Sequence, residues 1–252
     1  MNRKSCLLML FILTILVGCQ KDLELPKENT IKNDNEQEKR VTEILEERDA
    51  NNTFKDNLNY QLNQEVMVLP YDGGWKLSYP SLQSTMIDCT DINKQIKVIV
   101  TEHLNGQFGE SPKFKAFDLK YTITYTSNDR ISVLYDGHVY VEGAAYSPRV
   151  MFSFTLDVTT GKEVLLKDMA VIDETFLNEF RIAWRAQTEG HLNDYLDNET
   201  DSRLMSMFQI CDSAEGEICS FLIGDCENGY QIGIAFPIAH AAGDYQIIYL
   251  PI

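Results

Sequence analysis

Positive charge is scarce in this chain of 252 residues, which has 22 lysines and arginines against 38 aspartates and glutamates. The formal net charge is −16 at pH 7. A protein that binds the phosphates of nucleic acid needs a surplus of basic side chains to displace counterions. The composition therefore argues against a nucleic-acid partner. It is compatible with solubility alone, or with attraction to cationic proteins and divalent ions.

Long hydrophobic runs are also missing, so the sequence predicts no membrane-spanning helix. The longest run extends from Cys6 to Val17, is interrupted only by Thr14, and follows Arg3 and Lys4. A run of this length is too short to cross a bilayer and is typical of the core of an export signal. We therefore predict that residues 1–18 are a signal peptide.

The residues at the end of this run are those of a bacterial lipobox, Leu16-Val17-Gly18-Cys19. In a lipobox the small residues admit the signal peptidase, and the cysteine thiol is alkylated by diacylglycerol before cleavage. The sequence thus predicts lipidation at Cys19 and anchoring at the extracytoplasmic face of the cell membrane. The alternative is an ordinary secretory signal with a chance cysteine. Cleavage removes Arg3 and Lys4 but no acidic residue, so the mature chain is more acidic still.

The motifs that indicate catalysis, metal binding or cofactor binding are absent. There is no His-Glu-x-x-His pair, Gly-x-Ser-x-Gly elbow or Gly-rich phosphate loop, so we predict neither a metal nor a cofactor. Asp136, His138 and Glu142 fall near the end of one predicted strand and offer an acid-base cluster. With so many acidic residues, chance neighbours are common. Enzymatic activity is left open, and a protein without it is favoured.

Cysteines in the mature chain show no Cys-x-x-Cys spacing of the kind found in zinc sites. Besides the anchor they are Cys89, Cys211, Cys219 and Cys226. An even number of cysteines outside the cytoplasm permits disulfides, and three of the four lie close together in the chain. We predict one disulfide among Cys211, Cys219 and Cys226. The alternative is that these are free buried thiols.

Patterning divides the mature chain into a polar tether, residues 19–59, and a folded domain, residues 60–252. Strict alternation over residues 117–125 predicts an antiparallel strand, and apolar residues at steps of three and four predict a helix that includes Ile92 and Leu104 and stops at Asn105-Gly106. Asp173 is placed to cap a second helix, with further helical turns over residues 192–208. The other predicted strands are residues 65–69, 75–79, 131–141, 149–158, 163–166, 217–223, 230–236 and 246–250. Because strands and helices come in blocks, we predict a single α+β domain with a largely antiparallel sheet and helices packed on one face.

Three stretches carry a resemblance to a known family: Gly143-Ala144-Ala145-Tyr146-Ser147-Pro148, the segment from Leu156 to Asp168 with Thr159-Thr160-Gly161-Lys162, and the C-terminal Ile248-Tyr249-Leu250-Pro251-Ile252. Residues 60–252 resemble a bacterial extracytoplasmic domain of unknown function. That domain is similar to the lysozyme-sensing ectodomain of RsiV-type anti-sigma factors and to the N-terminal module of PdaC-type peptidoglycan deacetylases. The resemblance implies the module without either effector, which is a sigma-binding segment in one case and a zinc deacetylase domain in the other.

The resemblance implies a binding or sensing module, with lysozyme or another cationic protein as its partner. Many relatives have Gly-Gly-Ala-His where this chain has residues 143–146, so a role for that histidine does not carry over. We predict Glu142 and Tyr146 as ligand-binding residues, because the loop from Glu142 to Arg149 replaces that stretch. The alternative for the loop is packing against its own domain. The alternative function is a cell-wall glycan-binding or peptidoglycan-modifying accessory domain or enzyme, whose partner is peptidoglycan.

Overall fold

The structure is a computed structural model that describes residues 58–251, apart from residues 111, 215 and 226–228. The predicted signal peptide, Cys19 and the predicted tether up to residue 57 lie outside these residues. The strands are β1 (Gln61–Val68), β2 (Lys76–Gln83), β3 (Phe114–Thr126), β4 (Arg130–Val141), β5 (Arg149–Asp157), β6 (Cys219–Asp225), β7 (Gly229–Pro237) and β8 (Tyr245–Pro251). The helices are α1 (Thr90–Phe108), α2 (Leu166–Met169), α3 (Glu174–Gln187), α4 (Asn193–Asp197) and α5 (Asp201–Gln209).

The predicted α+β class is confirmed, and every strand pairing is antiparallel among the described residues. The strands form three sheets, with the orders β1-β2, β3-β4-β5 and β6-β7-β8. We call them the first, second and third sheet. Each strand follows its neighbour in the chain, because short turns join consecutive antiparallel strands.

Helix α1 packs on the first and second sheets and completes one hydrophobic core. Its apolar residues recur at steps of three and four, which places Ile96 and Leu104 on one buried stripe. That stripe meets the inward side chains of β4 and β5, among them Val133 and Phe154, which have no solvent exposure.

The C-terminal end of α1 differs from the prediction, since the helix runs through Asn105 and Gly106 and ends at Phe108. Asn105 is held in the helix, and its Oδ1 accepts a 2.7 Å hydrogen bond from the Tyr71 hydroxyl. Gly106 lies so close to the carbonyl of Ala214 that a Cβ would stand 2.0 Å from its oxygen. Here the glycine permits close packing and does not stop the helix. The following Gly109, with φ of 78°, is the residue at which the helix ends.

The strand predicted for residues 163–166 is shorter in the structure and pairs with β5 only around Glu163. After the turn at Thr159-Thr160-Gly161-Lys162, a single bridge joins Glu163 to Leu156, and α2 begins at Leu166. The reason is the Asp212 carboxylate, which accepts a hydrogen bond from the Leu166 backbone N–H and directs the chain away from β5.

A second core lies between helices α3 to α5 and the third sheet. As predicted, Asp173 caps α3, and its Oδ1 accepts a 3.0 Å hydrogen bond from the Phe176 N–H. The buried Phe180 and Trp184 of α3 contact Phe236 of β7, with ring centroids 5.8 and 5.4 Å away. This helix layer therefore stabilises one face of the third sheet.

The second and third sheets meet through serine hydroxyls. Ser132 Oγ of β4 accepts a 3.0 Å hydrogen bond from the Leu222 N–H, and Ser153 Oγ of β5 donates a 2.6 Å hydrogen bond to the Ser220 carbonyl. These bonds satisfy the backbone at the outer edge of β6 in a buried environment, which is why two serines are tolerated there. Within the part of the chain that is described, no helix has the length and apolarity needed to cross a membrane.

Candidate functional site

The loop after β4 places Glu142 and Tyr146 in different surroundings. Glu142 forms an exposed ion pair with Lys115 of β3, with Nζ and Oε1 2.8 Å apart. The hydrogen bond from Lys115 lowers the pKa of the Glu142 carboxyl. Asp136 pairs instead with Arg149, and His138 is exposed on β4. The described contacts therefore do not assemble Asp136, His138 and Glu142 into one acid-base cluster.

Tyr146 is half exposed, and its ring stacks on His240, a residue from the segment that follows β7. The ring centroids are 4.0 Å apart and the planes differ by 12°. Since 51% of Tyr146 remains exposed, the stacked pair still presents aromatic surface to solvent. This contact brings together two segments that are far apart in the chain.

Hydrogen bonds on the His240 side fix the position of this aromatic pair. His240 Nδ1 lies 3.0 Å from both carboxylate oxygens of Asp244, and Asp244 Oδ2 accepts a 2.8 Å hydrogen bond from the Arg149 N–H. The Arg149 guanidinium in turn makes a bidentate pair with Asp136, through contacts of 2.8 and 2.6 Å. Bidentate arginine–carboxylate pairs fix orientation as well as distance. The network from Tyr146 to Asp136 therefore ties the two segments to β4 and β5.

Asp244 has a φ of 65°, which is unusual for a residue other than glycine. It follows Gly243, whose φ is 106°, in the short connection between the 3₁₀ turn His240–Ala242 and β8. Aspartate tolerates this conformation better than most residues do. The carboxylate is hydrogen-bonded on both sides, to His240 and Arg149, which holds the strained backbone in place.

A groove of about 410 Å³ opens beside this network. The groove is lined by the end of α1, the loop before β5, the segment before β6 and the two ends of the connection between β7 and β8. The lining residues are Gly106, Gln107, Pro148, Arg149, Ala214, Gly216, Glu217, Pro237, Ile238, Asp244 and Tyr245. Two carboxylates, Glu217 and Asp244, contribute to it. Burial raises the pKa of Tyr245 to about 12, so its hydroxyl stays neutral at physiological pH.

Two other aromatic side chains, Tyr135 and Trp75, belong to the first core. Tyr135 has no exposed surface, and its hydroxyl donates to the Ser78 carbonyl. Trp75 packs against Phe114 in the first core. Tyr146, which the sequence analysis named as a ligand-binding residue, is part of the candidate site. His240 was missed, because its sequence neighbours carry no motif and only the fold brings it to Tyr146.

The cysteines in the described residues are free thiols. Cys89, Cys211 and Cys219 are all buried, and no bond joins Cys211 to Cys219. Cys226, the third member of the predicted disulfide group, lies outside the described residues. Burial raises the pKa of both Cys211 and Cys219 well above the usual thiol range, which keeps these thiols protonated and unreactive.

Two carboxyl groups are buried near these thiols. Asp212 accepts hydrogen bonds from Leu166 N–H, Ser220 N–H, Ser220 Oγ and Cys211 Sγ, yet burial still raises its pKa to about 6. Burial and the nearby Asp212 raise the pKa of Glu163 to about 7, and its Oε1 has no hydrogen-bond partner. Nowhere in the described residues do three His, Cys, Asp or Glu side chains converge as a metal site would require.

Comparisons with known proteins are sparse. No protein-family model matches the chain, and no curated protein is similar to it at a significant level. Among solved structures, it is similar to the crystal structure of a DUF3298 family protein from Pseudomonas aeruginosa PAO1, with a TM-score of 0.40 and 14% sequence identity. The match covers 79% of this chain and 92% of that chain. The resemblance to RsiV-type and PdaC-type modules stays a prediction.

Proposed function

We propose that this protein is a lipid-anchored extracytoplasmic binding module, and that the surface formed by Tyr146 and the adjoining groove receives a cationic protein. The single observation that carries the proposal is the Tyr146–His240 stack, whose imidazole pairs with Asp244 at the wall of a groove that Glu217 also lines. An exposed aromatic face next to carboxylates suits an arginine or lysine side chain, which gains both a cation–π contact and Coulomb attraction. The resemblance to lysozyme-sensing ectodomains makes lysozyme the first partner to test.

The charge of the whole domain supports the same class of partner. Residues 58–252 contain 13 lysines and arginines and 27 aspartates and glutamates. Several of the basic side chains are already engaged, since Arg181 pairs with Asp201 and Arg185 pairs with Asp197. An acidic surface of this kind accelerates encounter with a cationic protein and repels anionic lipid headgroups.

Titration calorimetry of the purified chain with lysozyme at low and at physiological ionic strength tests the proposal. We expect binding at low salt that weakens as salt rises, because exposed charges are screened beyond roughly 8 Å at 0.15 M. Replacing Tyr146 with alanine should weaken binding by roughly two- to fivefold, the value of one exposed cation–π contact. Ile182→Ala, on an exposed residue of α3 outside the groove, is the matched control and should leave the affinity unchanged.

Absence of heat with lysozyme at low salt would remove lysozyme as the partner. The same titration with soluble peptidoglycan fragments then separates the alternative function from the proposed one. The exposed Tyr146 ring is the specific feature that favours that alternative, since aromatic faces also stack on sugars. Binding of fragments that is insensitive to salt and lost in Tyr146→Ala would favour glycan recognition.

Anchoring is tested separately from binding. Cys19→Ser should abolish lipidation, and the protein should then appear in the soluble fraction or remain as unprocessed precursor. Fractionation with labelled fatty acid measures both outcomes. A variant that labels and fractionates like the natural chain would contradict the anchor.

A further inference from the structure

We propose that the outer edge of β1 is a self-association surface, on which a second copy of this chain pairs its own β1 in antiparallel fashion. Among the residues that the structure describes, the first sheet has two strands, and β1 pairs with β2 alone. The backbone N–H and C=O groups on the outer side of β1 have no hydrogen-bond partner among the described residues. An exposed edge of this kind is a template for another strand.

The other sheet edges are covered by side chains or by neighbouring segments. The Asn93 side-chain amide makes two 2.8 Å hydrogen bonds to the backbone of Leu82 in β2. The Gln187 side-chain amide likewise makes two hydrogen bonds, of 2.7 and 2.9 Å, to the backbone of Tyr249 in β8. Both amides imitate the peptide of an added strand and so occupy the position that a foreign strand would need.

The remaining edges are protected in other ways. The edge of β6 is satisfied by the serine hydroxyls described above, and residues 162–164 pair with the edge of β5 through the hydrogen bonds Asp157 N–H to Lys162 O and Val164 N–H to Thr155 O. Strand β3 has two irregularities in its register and exposes Lys115 and Lys120. Bulges and charged side chains are devices that keep an edge from pairing. Strand β1 has neither a bulge nor a proline, and its register with β2 is continuous.

The residues of β1 favour a second copy over a cationic partner. Glu65 is the one charged residue of the eight, and its carboxylate accepts a hydrogen bond from the Tyr79 hydroxyl, whose ring lies under Lys97. The strand is therefore nearly neutral on a strongly acidic domain. Two copies of an acidic protein repel each other least through such a region.

The exposed apolar side chains of β1 also favour a second copy of the chain as its partner. Val66 and Val68 lie on one face of the strand and are 57% and 65% exposed. If Val66 lies opposite its symmetry mate, Gln64 lies opposite Val68, and Glu65 faces Met67 of the second copy rather than the other Glu65. This two-fold pairing joins the two hairpins into a four-stranded antiparallel sheet, which is more stable than an isolated two-stranded ribbon.

Cross-linking of the full-length chain through residue 66 tests the proposal. In Val66→Cys the two thiols meet across the two-fold axis, so a short bis-maleimide should trap a dimer whose yield rises with protein concentration. Ile182→Cys, equally exposed on α3, and the natural chain provide the background. Adding Val68→Lys to Val66→Cys should remove most of the dimer, since a lysine on the edge opposes pairing. Because Val68 is exposed, the thermal midpoint should hardly change.

Hydrogen exchange on the natural chain provides the second measurement. The outward amides of β1 should exchange rapidly at low protein concentration and become protected as concentration rises. A dimer yield no greater than that of Ile182→Cys would overturn the proposal. Protection of β1 that is already complete at low concentration would also overturn it, because another segment would then cover the edge.

Discussion

The ring of Tyr146 stacks on the imidazole of His240 at a centroid distance of 4.0 Å, and this contact connects the loop after β4 to the connection between β7 and β8. Neither residue has a partner of this kind in its own sequence neighbourhood. The pair stands at one end of a chain of hydrogen bonds that ends at Asp136. Preorganisation of the candidate site therefore depends on side chains from two distant segments.

We predict an energetic coupling between Tyr146 and His240. In a double-mutant cycle with Tyr146→Ala and His240→Ala, the interaction energy should be about 0.5–1 kcal/mol, the usual value of an aromatic pair beyond its burial. Urea unfolding of the four proteins measures it. Strictly additive effects on the free energy of unfolding would show that the stack adds no stability.

The Asp136–Arg149 pair should contribute more than the surface ion pairs do. Asp136→Asn removes the bidentate acceptor of a guanidinium that is only 19% exposed, so the free energy of unfolding should fall by about 1–3 kcal/mol. The matched control is Asp118→Asn, whose partner Lys120 is fully solvated, and its effect should be close to zero. Equal effects of the two substitutions on the urea midpoint would contradict this prediction.

Glu163 should make the protein less stable as the pH rises. Its pKa of about 7 in the folded chain lies above the ordinary value of 4.5, so its contribution is fully present below pH 4.5 and is lost as the pH rises through 7. Glu163→Gln should therefore raise the free energy of unfolding at pH 8 by up to about 3 kcal/mol and change it little near pH 4.5. Asp212 acts in the same direction, and because its charge interacts with that of Glu163, the difference between the two proteins measures Glu163 together with this interaction. A difference that does not change with pH would contradict the prediction.

His103 should make the protein less stable as the pH falls. Burial lowers its pKa to about 4, and its ring stacks on Phe152 with centroids 5.0 Å apart. The neutral form is favoured in the folded chain, so stability is lost as the pH falls from about 6.5 to 4. His103→Phe should reduce the loss of stability over this acidic range, measured by thermal unfolding at several pH values. An unchanged acid profile would show that His103 does not contribute to it.

The thiols of Cys211 and Cys219 should react slowly in the folded protein. Both are buried, and their raised pKa values leave almost no thiolate. We expect iodoacetamide to label them only after unfolding, as judged by mass spectrometry of digests prepared with and without denaturant. Failure of either cysteine to be labelled in denaturant without reductant would indicate a disulfide, for which Cys226 is the remaining candidate partner.

Local patterns were sufficient for most of the secondary structure. The alternation in β3, the three-to-four spacing in α1 and the capping residue of α3 each predict an element that the structure contains. The predicted elements were wrong where a residue far away in the sequence contacts the segment. Asn105-Gly106 reads as a helix stop, but the contact of Gly106 with Ala214 and the bond of Asn105 to Tyr71 keep the helix intact. Residues 163–166 read as a strand, but Asp212 binds Leu166.

By itself, the sequence determined the α+β class, the antiparallel pairing of successive strands and the acidic charge, because these depend on composition and on periodicities over a few residues. Only the tertiary structure decided that the strands form three sheets and that Glu142 pairs with Lys115. It also decided that His240 stacks on Tyr146 and pairs with Asp244. These features join residues that are far apart in the chain. Which distant side chains meet is set by the packing of whole sheets and helices, and no local pattern records it.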